Sequence, residues 1–257
     1  MKKILPILFV VLFIAGCNPE KKVENNTLTQ VSTIDALLAG YYDGVMPLKQ
    51  LNEYGDFGIG TFNKLDGEMI VLNGAIYQFK ADGKIYNADL NNTTPFATVV
   101  NFKSSFYVPV KRDISISDFE AVIDSSIPNR NLFYAIKVTG DFPYIKTRSV
   151  PAQEKPYKAL SEVTKTQAVF EKENQYGTLV GFLVPAYANG INVSGYHLHF
   201  ISSDKSFGGH VLDFKTGNVK VEIDEINIFK MILPENSDFG KVDLSKDRSS
   251  ELQKVEK

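Results

Sequence analysis

The chain reads as an α+β protein dominated by strands, with an N-terminal mixed β-sheet domain and packing helices followed by a small C-terminal β-barrel domain. Three observations predict this. The turn dipeptides Asn73-Gly74 and Asp82-Gly83 separate short apolar runs, and such turns need residues that tolerate positive φ. Only two segments open with a helix-capping pattern, Ser32-Thr33-Ile34-Asp35 and Ser117-Asp118-Phe119-Glu120. Pro151 and Pro156 punctuate a Lys-rich polar stretch, which puts a boundary near residue 160.

The elements follow in order. Met1-Lys2-Lys3 is a basic start, Ile4 to Ile14 is apolar, and Ile14-Ala15-Gly16-Cys17 ends the run in small residues. This is shorter than the roughly 20 residues that span a bilayer, so residues 1–17 read as a cleaved signal peptide. The small-small-Cys ending resembles a bacterial lipobox, in which the cysteine becomes the lipidated first residue of the mature protein. Cys17 is the only cysteine and has no disulfide partner. The expectation is an extracytoplasmic protein of the bacterial cell envelope, anchored in the membrane through Cys17. Polar residues 18–30 then read as a flexible tether.

Residues 31–160 form the expected N-terminal domain. Ile34, Leu37 and Leu38 share one helical face, and Gly40 stops that helix. Phe57 to Phe62 alternates as a strand does; Glu68 to Leu72, Ala75 to Phe79, Ile85-Tyr86 and Phe96 to Phe102 follow. A second helix opens at Ser117 and runs to about Ser126. Leu132 to Thr139 and Ile145 to Val150 read as two further strands. Residues 161–257 form the expected barrel and tail, with strands over 178–184, 191–201, 210–214, 219–226 and 229–233.

Composition excludes some functions. The net charge is −2 with no basic block, which gives no footprint for nucleic acid. Gly58 and Gly60 are not followed by a phosphate-binding helix start, so no nucleotide fingerprint is present.

Chemistry concentrates in the histidines. The chain has three, and all lie within His197 to His210. On a strand, His197 and His199 point to one face while Tyr196, Leu198 and Phe200 point to the other. Residues 202–209 supply turn residues, so a returning neighbour would carry His210 beside the pair. Three imidazoles with a coordination position left open describe a catalytic zinc site better than a structural one. Spacing alone leaves iron(II) and manganese open. It also leaves open another metal-dependent β-barrel (cupin-like) enzyme, or a non-catalytic surface lipoprotein that binds a ligand.

The surrounding residues carry a resemblance. Gly177 to Phe182, Pro185-Ala186-Tyr187, Asn192 to Ile201, Asp204-Lys205 and Gly208 to Leu212 form one string. Upstream stand Ser32 to Leu37, Gly58 to Thr61, Leu65 to Ile70 and Thr94 to Ala97. Together, in order from about residue 31 to the end, they resemble the alpha-acetolactate decarboxylase family. The resemblance implies conversion of 2-acetolactate, and of the related 2-aceto-2-hydroxybutanoate, to a hydroxyketone and carbon dioxide. It implies zinc on His197, His199 and His210, with the metal as electron sink and no organic cofactor. It implies Glu68, Arg148 and Glu256 as catalytic groups, with Arg148 clamping the substrate carboxylate and Thr61 as a further substrate contact. It also allows a homodimer. Glu256 is the least anchored of these matches, because Glu251 lies nearby in a variable tail.

Overall fold

The computed structural model describes residues 26–256. The signal peptide, Cys17 and most of the expected tether lie outside them. In chain order the elements are β1 (Thr27–Val31), α1 (Ile34–Leu38), β2 (Met46–Pro47), α2 (Leu48–Leu51), β3 (Phe57–Thr61), β4 (Glu68–Leu72), β5 (Ala75–Phe79), β6 (Ile85–Asn87), β7 (Thr93–Thr94), β8 (Ala97–Val100) and β9 (Phe106–Val108). Then come α3 (Ile116–Ser126), β10 (Phe133–Ser149), α4 (Leu160–Val163), β11 (Ala168–Val184), β12 (Gly195–Ser202), β13 (Gly208–Lys215), β14 (Val219–Ile226), β15 (Ile228–Ile232) and α5 (Ser249–Val255). This is the expected β-rich α+β fold. Among the described residues no helix is long and apolar enough to cross a membrane.

Local chemistry accounts for the early elements. Thr33 caps α1 by accepting the Ala36 N–H at 3.2 Å, and Gly40 adopts φ +92° past the helix end. Asn73 and Gly74 both take positive φ, 52° and 77°, and join β4 to β5. The second long helix starts two residues earlier than its sequence suggests. Ser115, with extended backbone, is the cap that accepts the Asp118 N–H, and Ser117 lies inside.

The strands form two main sheets. The first has seven strands in the order β15-β1-β8-β3-β4-β5-β6; the second has six in the order β11-β12-β13-β10-β14-β9. In the second, pairings run from β10 to β11, β12 and β13 and return to β10. The sheets pack through one core, where Phe57, Ile59, Ile70 and Tyr77 of the first meet Ala135, Val180, Phe182 and Ile201 of the second. Beyond the second sheet, Phe119 and Ile123 of α3 cover Leu198, Phe200 and Phe214.

Three sequence expectations are corrected here. The boundary near residue 160 does not divide the sheets, because β10 precedes it yet joins the second sheet, while β15 follows it yet joins the first. The C-terminal half is therefore not a self-contained barrel. Residues 27–30 are not tether: with Val31 they form β1, buried throughout, parallel to β15 and antiparallel to β8. Polar composition hid this strand, because Gln30 is buried while its amide donates to the carbonyls of Ser32 and Ile191. The two strands expected over 132–150 are one, β10. Pro143, which has no N–H to donate, stands where one of its partners changes from β14 to β13. β11 is longer than expected because its first half, 168–176, is largely exposed and lacks apolar alternation.

Phe182 is 1% exposed and meets Phe57 edge-on at 6.1 Å between the sheets. We expect Phe182→Ala to lower stability by about 3–5 kcal/mol in urea denaturation. A loss below about 1 kcal/mol would show that the sheets do not depend on this contact.

Candidate metal centre

The site is built on the face of the second sheet that looks toward the first. Register places its residues in a row. Arg148 on β10 pairs with His210 on β13, and His210 pairs with His199 on β12. Directly opposed residues of antiparallel strands share a face. His197 is two residues from His199 and therefore joins them. Leu198 and Phe200 go to the opposite core, as the alternation predicts.

The row depends on a β-bulge. Lys146 pairs with Asp213, but Thr147 pairs with Val211, so Leu212 is an extra residue on β13. One inserted residue reverses the face of everything beyond it. Without it, Arg148 would oppose Val211. Gly209, with φ +123°, follows the same constraint, since a Cβ there would stand 2.6 Å from the Arg148 carbonyl oxygen and 2.8 Å from the Phe79 ring.

The first sheet supplies the other wall. Thr61 and Glu68 are paired residues at the ends of β3 and β4. The roof comes from Ile34 and Leu37 of α1, Leu160 of α4, and Leu65, Phe96 and Val150. Leu252 and Val255 anchor α5 in this apolar cluster, and Glu256, the next residue, turns into the pocket. All seven residues expected on sequence grounds therefore line one pocket: Thr61, Glu68, Arg148, His197, His199, His210 and Glu256.

Distances define the chemistry. The three histidines each offer a ring nitrogen, and these lie within 4.8 Å of one another. Glu68 Oε2 is 3.6 Å from His199 Nε2, and Glu256 Oε2 is 3.6 Å from His210 Nε2 and 3.9 Å from His197 Nε2. Arg148 lies between the carboxylates, 3.6 Å from Glu68 Oε1 and 3.7 Å from Glu256 Oε1.

The residues present fit a divalent metal ion. His199 Nδ1 lies 2.9 Å from the Met69 carbonyl oxygen, which only accepts, so Nδ1 carries the proton. Nε2 is then a bare lone pair, and it is buried without a protein partner. A backbone carbonyl that fixes the tautomer in this way is the usual outer support of a metal-binding histidine. Burial and the nearby Arg148 charge push His197 down to about 3. Burial also holds His199 and His210 well below the usual range. All three imidazoles are therefore neutral at ordinary pH, the form that can bind a metal. Burial lifts Glu68 to about 7 and raises Glu256 as well, with Arg148 opposing both shifts.

The pocket is small. Its volume is about 40 Å³, which suits a small molecule.

Comparison with known proteins now bears on the site. A family model described as Alpha-acetolactate decarboxylase matches residues 28–246. The chain belongs to that family. It is 49% identical to the alpha-acetolactate decarboxylase of Methanosarcina mazei, over 91% of this chain and 81% of the relative. It is 45% identical to that of Bacillus subtilis, over 84% of each. A crystal structure of the Bacillus subtilis protein superposes with a TM-score of 0.88 at 42% identity, covering 90% of this chain and 99% of that one. The family match stops before α5, so the placement of Glu256 comes from the fold.

Sequence reasoning missed the supports rather than the site: the Met69 carbonyl, the bulge at Leu212 and the role of α5. Removing a ligand outweighs removing its support, so we expect His199→Ala to weaken zinc binding by more than about 100-fold in calorimetric titration. Near-normal affinity would break the three-histidine assignment.

Proposed function

We propose that this chain converts 2-acetolactate to acetoin and carbon dioxide, using zinc held by His197, His199 and His210. Family membership supports the reaction. The observation that carries the mechanism is the convergence of three neutral imidazoles with Arg148 set between two carboxylates. Zinc held by these three histidines would supply a Lewis acid able to stabilise the electron pair released as carbon dioxide leaves.

The chain's own residues account for the rest. Arg148 is buried and has no closer partner than the glutamates, so its planar fork is available to a substrate carboxylate. The bond to that carboxylate breaks as its electrons pass into the neighbouring ketone. The carbon left behind must then gain a proton. Glu68 stands against His199 and Glu256 against His197 and His210, and burial raises the proton affinity of each while Arg148 opposes it. Either can deliver the proton to its own face of the carbon. Carboxylates on two sides also suit both substrate enantiomers, one of them after migration of its carboxylate. Thr61 donates its hydroxyl hydrogen to the Gly67 carbonyl at 2.7 Å, so toward a substrate hydroxyl it acts as acceptor. The apolar roof keeps water from competing for these groups. The metal content of purified protein distinguishes zinc from iron or manganese on the same histidines.

Location is a second part of the proposal and rests on the sequence. The lipobox-like Ile14 to Cys17 points to export and a lipid anchor on the cell envelope. The family resemblance also allows a homodimer.

We expect purified protein to form acetoin from 2-acetolactate with zinc alone and to stop when a chelator is added. No acetoin from zinc-loaded protein would overturn the reaction. Glu68→Gln should keep zinc yet lose about 100-fold in kcat; unchanged turnover would remove Glu68 from proton delivery. Cys17→Ser should shift the protein from the membrane to the soluble fraction, and an unchanged membrane fraction would refute the anchor.

A further inference from the structure

The metal pocket shares a wall with a larger cavity that the reaction itself does not use. Glu256 lines both. The outer cavity measures about 470 Å³ by the same measure that gives the inner one about 40 Å³. Its other walls include Glu120 of α3, Ser194 just before β12 and Tyr196 on it, and Leu252 and Gln253 of α5.

Solvent contact points the same way. Among the charged and histidine side chains of the pocket, Glu256 is 15% exposed, while Glu68 and His197 are 9%, Arg148 5%, His210 3% and His199 1%. Glu256, the most exposed of these side chains, is also the one that lines the outer cavity. The remaining walls are the buried Leu37, Leu65, Phe96, Val150 and Leu160.

From this we propose that metal ion and substrate reach the inner pocket through the cavity between α3 and α5, past the Glu256 side chain, and that Glu120 sets the charge of that route. The part concerning substrate rests on the decarboxylase reading above. The route carries two carboxylates, Glu120 and Glu256, and no lysine or arginine among its lining residues. Asp124, one turn along α3 from Glu120, is ion-paired with Arg130 at 3.2 Å, so the charge of the route rests on Glu120 and Glu256. Such a passage draws in a divalent cation and slows an anionic substrate, whereas an uncharged hydroxyketone product leaves unhindered.

The charge argument makes one substitution act in opposite directions. Glu120 touches neither the histidines nor Arg148 in the inner pocket, so it is not a catalytic residue. In Glu120→Gln we expect zinc uptake by the metal-free protein to slow about threefold at low salt, while kcat/KM for 2-acetolactate rises about threefold and kcat stays unchanged. Both effects should fade as salt rises. A merely structural role would move both rates the same way and leave them insensitive to salt. Ser194→Trp and, on the exposed face of α5, Gln253→Trp should each slow zinc uptake and lower kcat/KM by obstructing the passage. Zinc uptake is followed with a chromophoric chelator and needs no turnover. Slow uptake in these variants without acetoin formation by the wild type would keep the route and reject the reaction. Wild-type uptake and kcat/KM in Glu120→Gln and in both tryptophan variants would overturn the route.

Discussion

The structure depends on one arrangement: a buried guanidinium held between the buried Glu68 and the partly buried Glu256, beside three neutral imidazoles. Each ionised group alone would be costly to bury. Arg148 is tolerated because Glu68 and Glu256 face it, and they are tolerated because it faces them. Two carboxylates against one guanidinium also leave room for further positive charge. The bare Nε2 of His199 supplies a place for that charge to bind.

Much of the surrounding fold can be read as the means of holding these groups at 3.6–3.9 Å. The bulge at Leu212 aligns Arg148 with His210. The Met69 carbonyl fixes the ring of His199 and ties the first sheet to the second. The apolar cluster of α1, α4 and α5 excludes water from above and delivers Glu256 from the end of the chain. The two sheets are thus two halves of one site. Neither carries a complete set of functional groups.

This division explains what was legible in the sequence. His197 and His199 announced themselves because a period of two is the period of a strand, and Leu198 and Phe200 confirmed the opposite face. The hairpin at Asn73-Gly74 was legible because its backbone demands are met by few residues. Glu68, Arg148 and Glu256 carried no such pattern. Each is a single charge whose meaning comes from partners distant in sequence, and only family resemblance singled them out. The misread elements share a cause as well. β1 and the first half of β11 have polar side chains whose burial or exposure follows from neighbouring strands, not from local alternation.

The pairing of β1 with β15 has a consequence for how the molecule comes into being. Thr27 lies beside Ile228, so the first strand of the first sheet waits for nearly the whole chain before its outer neighbour exists. Glu256 arrives later still. Contacts of such long sequence separation are slow to close. The pocket thus draws on strands that pair across most of the sequence and on a residue that follows all of them. A chain still being synthesised therefore holds every histidine before it holds Glu256 and the full pocket.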